Sequence, residues 1–246
     1  MSSDEHISQI PTLWSMVRRA HGDRVSQLQQ AQQTMIDRYG GAARRYLLGA
    51  LRNEDAADEV YQEFVLKFLR GDFRSADPKK GRFRSFLKTI LYRMIVDHQR
   101  ARKRSPTPQM PDDRITPIAE EQPPREEDEA FTRSWREALL AKAWRALEQE
   151  QEETGKPVHA VLRYRVDHPD LRSPELAAGL SRQLDREISP ANVRVMLHRA
   201  RERFANLLLD EVEQSLDAPT RDDLEAELIE LQLIEYCRPV LANRNP

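Results

Sequence analysis

Apolar residues along this chain recur three and four positions apart and rarely alternate in twos. That spacing puts them on one face of an α-helix, so the pattern predicts helices and almost no strands. Arg24 to Leu51 reads as one long helical region, with a bend expected at Gly40-Gly41. Asn53 is a good N-cap for the next helix, with Glu54 and Asp55 suited to its positive first turn. Val60, Phe64 and Phe68 then mark a buried stripe, and Glu63 with Lys67 makes an i, i+4 pair on the outer side. After a loop from Asp72 to Arg82, the residues Phe83, Phe86 or Leu87, Ile90 and Met94 predict a third helix running to about Arg104.

The pattern breaks between Ser105 and Glu126, where six prolines are mixed with acids. No packed element fits there. Extended proline-rich chain of roughly 20 residues spans about 60 Å, whereas duplex DNA advances about 34 Å per turn. Beyond the break, Phe131, Trp135, Leu139 and Leu147 form another stripe, ending near Gly155. A short helix from Pro157 to Val166 stops at His168-Pro169. Ser173-Pro174 and Ser189-Pro190 each offer a serine cap followed by proline at the first helical position. The second opens a long helix with Val193, Leu197, Ala200, Phe204, Leu208 and Val212 on its inner side. Two capped helices in succession, the second rich in Arg, satisfy the pattern of a helix-turn-helix unit.

The expectation is therefore an all-α fold of two small helical domains joined by a flexible Pro/acid-rich linker. The boundaries are 1–104 for the N-terminal domain, 105–128 for the linker, 129–216 for the helix-turn-helix domain and 217–246 for an acidic extension. In that extension Thr220 and Asp223 read as a capping box, with Leu224, Leu228 and Leu231 as a stripe. It is expected to close the C-terminal domain. The sharper alternative is a regulatory helix that covers a basic DNA-binding surface. Leu13, Trp14 and Val17 are expected to pack on the first domain.

Charge sharpens this picture. The net charge is only −2, but from Gly71 to Ser105 eleven basic residues face three acids, and from Pro106 to Ala130 two arginines face eight acids. Such segregation suits surfaces with different partners. The third helix mixes Phe83, Phe86 and Tyr92 with Arg and Lys, a combination that can stack unpaired bases while neutralising phosphates. An ordinary core helix with a basic tail has the same pattern.

No catalytic signature stands out. There is no phosphate-cradling glycine loop, no HExxH spacing among the six histidines and no GxSxG elbow. Asp55, Asp58, Glu59 and Glu63 follow one another on a helix without a loop of carbonyls, which reads as a solvated or partner-binding face and not a cation site. The one cysteine, Cys237, forms no internal disulfide and supplies no metal cluster. Neither an enzyme nor a cofactor is expected. Met1 to Gln9 is polar and no apolar run approaches the roughly 18 residues of a membrane span. A cytoplasmic protein without membrane contact is the expectation.

Two runs resemble a known family. The stretch Asp55-Ala56-Ala57-Asp58-Glu59-Val60-Tyr61-Gln62-Glu63-Phe64, then Gly81-Arg82-Phe83-Arg84-Ser85-Phe86-Leu87-Lys88-Thr89-Ile90 and Asp97-His98-Gln99-Arg100, is similar to region two of the extracytoplasmic-function sigma factors. The stretch from Pro190-Ala191-Asn192-Val193-Arg194 to Arg201-Glu202-Arg203 is similar to their region-four recognition helix. The likeness covers roughly Gln30 to Arg104 and Phe131 to Leu216, and its flavour is nearest to such factors from planctomycete-like bacteria.

The resemblance implies a non-enzymatic initiation factor whose partners are core RNA polymerase and promoter DNA, with an anti-sigma factor or a kinase as a possible restraint. It implies that Asp58, Gln62, Glu63 and Phe64 dock on the polymerase. It assigns −10 recognition and strand opening to Phe73, Arg82, Phe83, Arg84, Phe86, Lys88, Arg93, Asp97, Arg100 and Arg104. It gives −35 recognition to Ser189, Ala191, Asn192, Arg194, His198, Arg199 and Arg201, with Asn192 suited to adenine and Arg194 to guanine. Phe86 stands where the family usually has tryptophan, and Arg93 where it usually has asparagine. The segment Gly179 to Ile188 exceeds a standard helix-turn-helix turn. The competing reading is a helix-turn-helix regulator with no sigma role, which would leave the aromatic-basic third helix unexplained.

Overall fold

A computed structural model describes residues 25–70, 72, 83–104, 125–216 and 219–244; the side chains of 25–35, 37, 38, 104 and 125–127 are not among them. Leu13, Trp14 and Val17, and the proline-rich stretch up to residue 124, lie outside the described residues. The described residues form nine helices and no strand. They are α1 Val25–Leu51, α2 Glu54–Arg70, α3 Phe83–Arg104, α4 Arg125–Thr154, α5 Val158–Asp167, α6 Ser173–Gln183, α7 Pro190–Gln214, α8 Arg221–Glu230 and α9 Ile234–Asn243.

The chain divides into two compact units. One comprises Met1–Arg136 with Leu216–Ala218; the other comprises Glu137–Ser215 with Pro219–Pro246. In the first, α1, α2 and α3 pack on one another. Helix α1 runs unbroken through Gly40 and Gly41. It ends at Arg52, whose backbone enters the left-handed region (φ 52°) while its N–H donates to the Leu48 carbonyl at 2.9 Å. One residue later Asn53 caps α2, its Oδ1 accepting from the Ala56 N–H at 2.8 Å. The core between these helices holds Tyr39, Ala43, Tyr46, Leu47, Val60, Phe64, Phe68, Phe83, Leu87 and Leu91, all buried.

The first three turns of α4 belong to this same unit, which differs from the boundary at 129 that the sequence suggests. Helix α4 begins at Arg125, inside the expected linker. Phe131 is 0% exposed and Trp135 is 3% exposed. Trp135 stacks on Tyr39 at 5.2 Å between ring centroids, Phe131 meets Tyr46 edge-on at 5.1 Å, and Tyr39 lies 4.9 Å from Phe83. Such aromatic pairs add about 0.5–1.5 kcal/mol each beyond the area they bury. The aromatic stripe of α4 therefore completes the first core instead of starting the second.

In the second unit α5, α6 and α7 enclose Val161, Leu176, Ala177, Leu180, Ile188, Val193 and Leu197. Gly155 ends α4 at φ 68°, its N–H donating to the Gln151 carbonyl at 2.8 Å. Ser189 caps α7, accepting from the Asn192 N–H at 3.2 Å with Pro190 in the first turn. Helix α6 is capped otherwise than the sequence suggests. Ser173 is already helical, and Glu175 reaches back to the Arg172 N–H at 2.7 Å, which starts the helix one residue earlier. The six residues from Leu184 to Ser189 make the connection. Asp185 takes φ 48°, and the Arg186 N–H donates to the Ser181 carbonyl at 3.1 Å, the 6→1 bond of a Schellman stop.

Helices α8 and α9 pack on α7 and on each other. The Thr220–Asp223 capping box forms as expected, with both backbone N–H groups satisfied at 3.0 and 3.2 Å. Leu224, Leu228, Leu231, Leu233, Cys237, Val240 and Leu241 are buried. Tyr236 meets Phe204 edge-on at 5.8 Å, and Arg244 bridges Glu213 at 2.7 Å and also Asp210. These contacts lie toward the C-terminal part of α7, so the extension closes the second unit and leaves the start of α7 open.

Candidate nucleic-acid interface

Three surfaces carry the residues singled out in the sequence. The first is the outer face of α2. Gln62 and Glu63 are exposed, and Glu63 pairs with Lys67 at 3.0 Å. Asp58 is half-buried and engaged across the helix pair. Arg44 of α1 donates to it through Nε at 2.7 Å and through a terminal nitrogen at 3.1 Å, and also reaches Glu54 at 3.3 Å. The Arg44 guanidinium holds the Asp58 carboxyl below its ordinary range, chiefly through those hydrogen bonds. Phe64 is 4% exposed, so it supports the acidic face from beneath instead of standing on it. Arg44 carries no local signal of this role, since nothing in sequence relates positions fourteen apart on two helices.

The second surface is α3, and here the structure splits the expected set. Phe83 is 3% exposed and packed on Tyr39, so it belongs to the core and offers no face to a base. Phe86, 6.0 Å from Phe83, and Tyr92 are only partly buried, and they are the aromatics of α3 that reach the surface. Arg93, Asp97 and Arg100 are exposed at positions that helical geometry puts on one side. Arg84 and Lys88 lie on the flank facing the start of α4. Arg84 donates to the Thr132 hydroxyl at 3.3 Å, and Lys88 forms an ion pair with Asp128. Those two acceptors were invisible in sequence because they sit across the proline-rich stretch. Phe73 and Arg82 lie outside the described residues, as does the side chain of Arg104.

The third surface is the first three turns of α7. Ser189, Ala191, Asn192, Arg194, His198, Arg199 and Arg201 are all exposed, while Val193, Leu197 and Ala200 between them are buried. Burial of one stripe against α5 and α6 turns the opposite stripe outward, and the core fixes its orientation. Arg194 lies back along its helix, donating to the Pro190 carbonyl at 3.4 Å. Arg203 is bound by Glu150 of α4, which removes it from the outward group. Sequence reading passed over Val195. It is 47% exposed in the middle of this polar face, and a helical projection from Asn192 and His198 would have found it.

Among the described residues, no three His, Cys, Asp or Glu side chains group as metal ligands would. Among them, too, no helix is long and apolar enough to cross a membrane. Cys237 is buried, and burial pushes its thiol up to about 11, far from a reactive thiolate.

No curated protein and no solved structure gives a significant match to the chain. Residues 35–105 match the family model of sigma-70 region 2, a likeness that lies within the first unit.

Proposed function

We propose that this chain is a sigma factor of the extracytoplasmic-function type, which directs core RNA polymerase to specific promoters and assists their opening. The observation that carries the proposal is a combination in one chain. A segment similar to sigma-70 region 2 is followed by a three-helix unit whose last helix is serine-capped and presents Asn192, Arg194, His198 and Arg199 to solvent. A helix-turn-helix regulator would leave the first of these without a role. The finer placement, near the factors of planctomycete-like bacteria, rests on the quoted sequence runs alone.

In this reading the exposed face of α2, with the acids Glu59 and Glu63 and the amide of Gln62, meets a basic surface of the polymerase. The exposed side of α3 then holds the non-template strand at the −10 element, with Phe86 and Tyr92 as stacking platforms and Arg93 and Arg100 near phosphates. Unpairing costs a few kcal/mol per base, and capture of the unstacked base offsets it. The chain makes and breaks no covalent bond; the polymerase does that. The outward stripe of α7 enters the major groove at the −35 element. There Asn192 suits adenine and Arg194 guanine, and Arg199 and Arg201 suit phosphates.

The test is transcription in vitro with purified chain, core polymerase and a promoter library. Initiation at a shared −35/−10 pattern, absent without the chain, is the expected result. Binding of palindromic duplexes without polymerase, and no promoter-dependent initiation, would replace this reading with the regulator one.

A further inference from the structure

We infer that Val195 reads the C5-methyl group of a thymine in the −35 element, an inference that rests on the proposed entry of α7 into the major groove. Val195 is a branched apolar side chain, 47% exposed, on a face that also carries Ala191, Asn192, Arg194, His198, Arg199 and, farther along, Glu202. Its place in the helix is decisive. Val193 and Leu197 are buried on either side of it in sequence, so the core fixes α7 with Val195 pointing away. On a helix, Val195 lies three residues after Asn192 and three before His198, which aligns all three on one outward ridge.

A helix that lies in the major groove with its buried side on its own domain presents this central ridge to base edges and its flanks to the phosphate walls. Arginines at 199 and 201 supply the positive flanks that a polyanion needs. A central apolar group cannot hydrogen-bond to any base edge. Facing a donor or acceptor, it would leave that group desolvated and unpaired. The major-groove edges of the four base pairs carry one apolar feature, the thymine methyl. Val195 therefore selects a T·A pair by contact and rejects the others by desolvation. Asn192, one turn nearer the helix start, and the adjacent Arg194 read the neighbouring pairs.

The experiment uses the full chain with core polymerase and a promoter fragment identified by transcription. Each thymine of its −35 element is replaced singly by deoxyuridine, which keeps base pairing and removes only the methyl. One replacement should weaken promoter binding by about fourfold, the worth of one buried methyl. In Val195→Ala the same replacement should make no difference, while Val195→Ile should retain the discrimination. Val195 is exposed and alanine favours helix, so the variant should fold normally, which circular dichroism checks. If no deoxyuridine changes binding, or if the loss persists undiminished in Val195→Ala, the methyl contact is refuted. Scrambling the whole −35 element separates the two levels. Binding that survives scrambling refutes the major-groove reading of α7 itself, whereas binding that is lost on scrambling but indifferent to deoxyuridine refutes only the role of Val195.

Discussion

Arg44 and Asp58 are joined across α1 and α2 by two hydrogen bonds, at 2.7 and 3.1 Å, with Glu54 as a third member at 3.3 Å. The pair sits at the edge of the acidic face that we propose docks on the polymerase. Asp58 therefore has an intramolecular partner before any intermolecular one, and its charge is partly satisfied within the fold.

The pairing has a consequence for pH. Asp58 titrates below its ordinary range because Arg44 favours the carboxylate. A depressed folded value means that the contribution to stability is present above the unfolded aspartate value of about 3.9 and is lost as pH falls through the folded value. Arg44→Gln should return the Asp58 titration to the ordinary range, measured by NMR on the side-chain carboxyl. The same variant should flatten the acid limb of stability against pH. Both side chains are about two-fifths exposed to water, so 1 M salt should weaken the difference. An unchanged Asp58 titration in Arg44→Gln would show that the contact does not govern it.

The pair also decides which charge reversal tests the docking face. Reversing Asp58 would set it against Arg44 and loosen α1 from α2, so lost polymerase binding would be ambiguous. Glu59 and Glu63 are exposed on the same helix, and Glu63 pairs locally with Lys67 at 3.0 Å. Glu59→Lys with Glu63→Lys should leave the melting transition nearly unchanged. It should weaken association with core polymerase by about tenfold or more at low salt, because like charges would then face each other. Equal affinity for the double variant and the parent, in a pull-down titration or by fluorescence anisotropy, would put the docking face elsewhere.

The aromatic cluster at the start of α4 bears on stability. Trp135 stacks on Tyr39 and Phe131 meets Tyr46, both fully inside the first unit. Trp135→Ala should cost about 3–5 kcal/mol in urea unfolding, the range for removal of a large buried aromatic. Phe131→Leu should cost much less, since it keeps most of the volume. A loss under about 1 kcal/mol in Trp135→Ala would mean that the first unit holds together without α4.

Much of this fold was legible because caps and stripes are local. Asn53, Gly155, Ser189 and the Thr220–Asp223 box each act within four residues, and each does what its sequence context predicts. Ser173 looked the same as Ser189, but Glu175 accepts from the Arg172 N–H, and that bond starts the helix one residue earlier. Periodicity found the buried stripe of α4 but could not say which core receives it, because the packing of Trp135 on Tyr39 joins residues nearly a hundred positions apart. The site was legible to the same extent. The outward residues of α7 followed from its inward ones. Phe83 and Phe86, three apart on one helix, had equal claims on a base until the Tyr39 ring claimed Phe83 for the core.

The most direct consequence of the α7 geometry concerns Asn192 and Arg194. Both are exposed in its first turns, with their orientation fixed by the buried Val193 between them. The Asn192 backbone N–H is bonded to the Ser189 hydroxyl at 3.2 Å, which anchors the first turn with the Asn192 side chain exposed. Arg194 rests on the Pro190 carbonyl at 3.4 Å, a long bond that a guanine edge can replace. Asn192→Ala should lose discrimination at one −35 base pair, and Arg194→Ala at another. Each should weaken use of the preferred sequence by about 1–3 kcal/mol, roughly fivefold to 150-fold. Binding to core polymerase should be unchanged, because neither side chain lies on α2. Selection of −35 sequences from a randomised library, run on both variants and the parent, reads this out directly. A uniform loss across all sequences would make the two residues phosphate contacts. Identical selected sequences at undiminished efficiency would remove the start of α7 from promoter recognition.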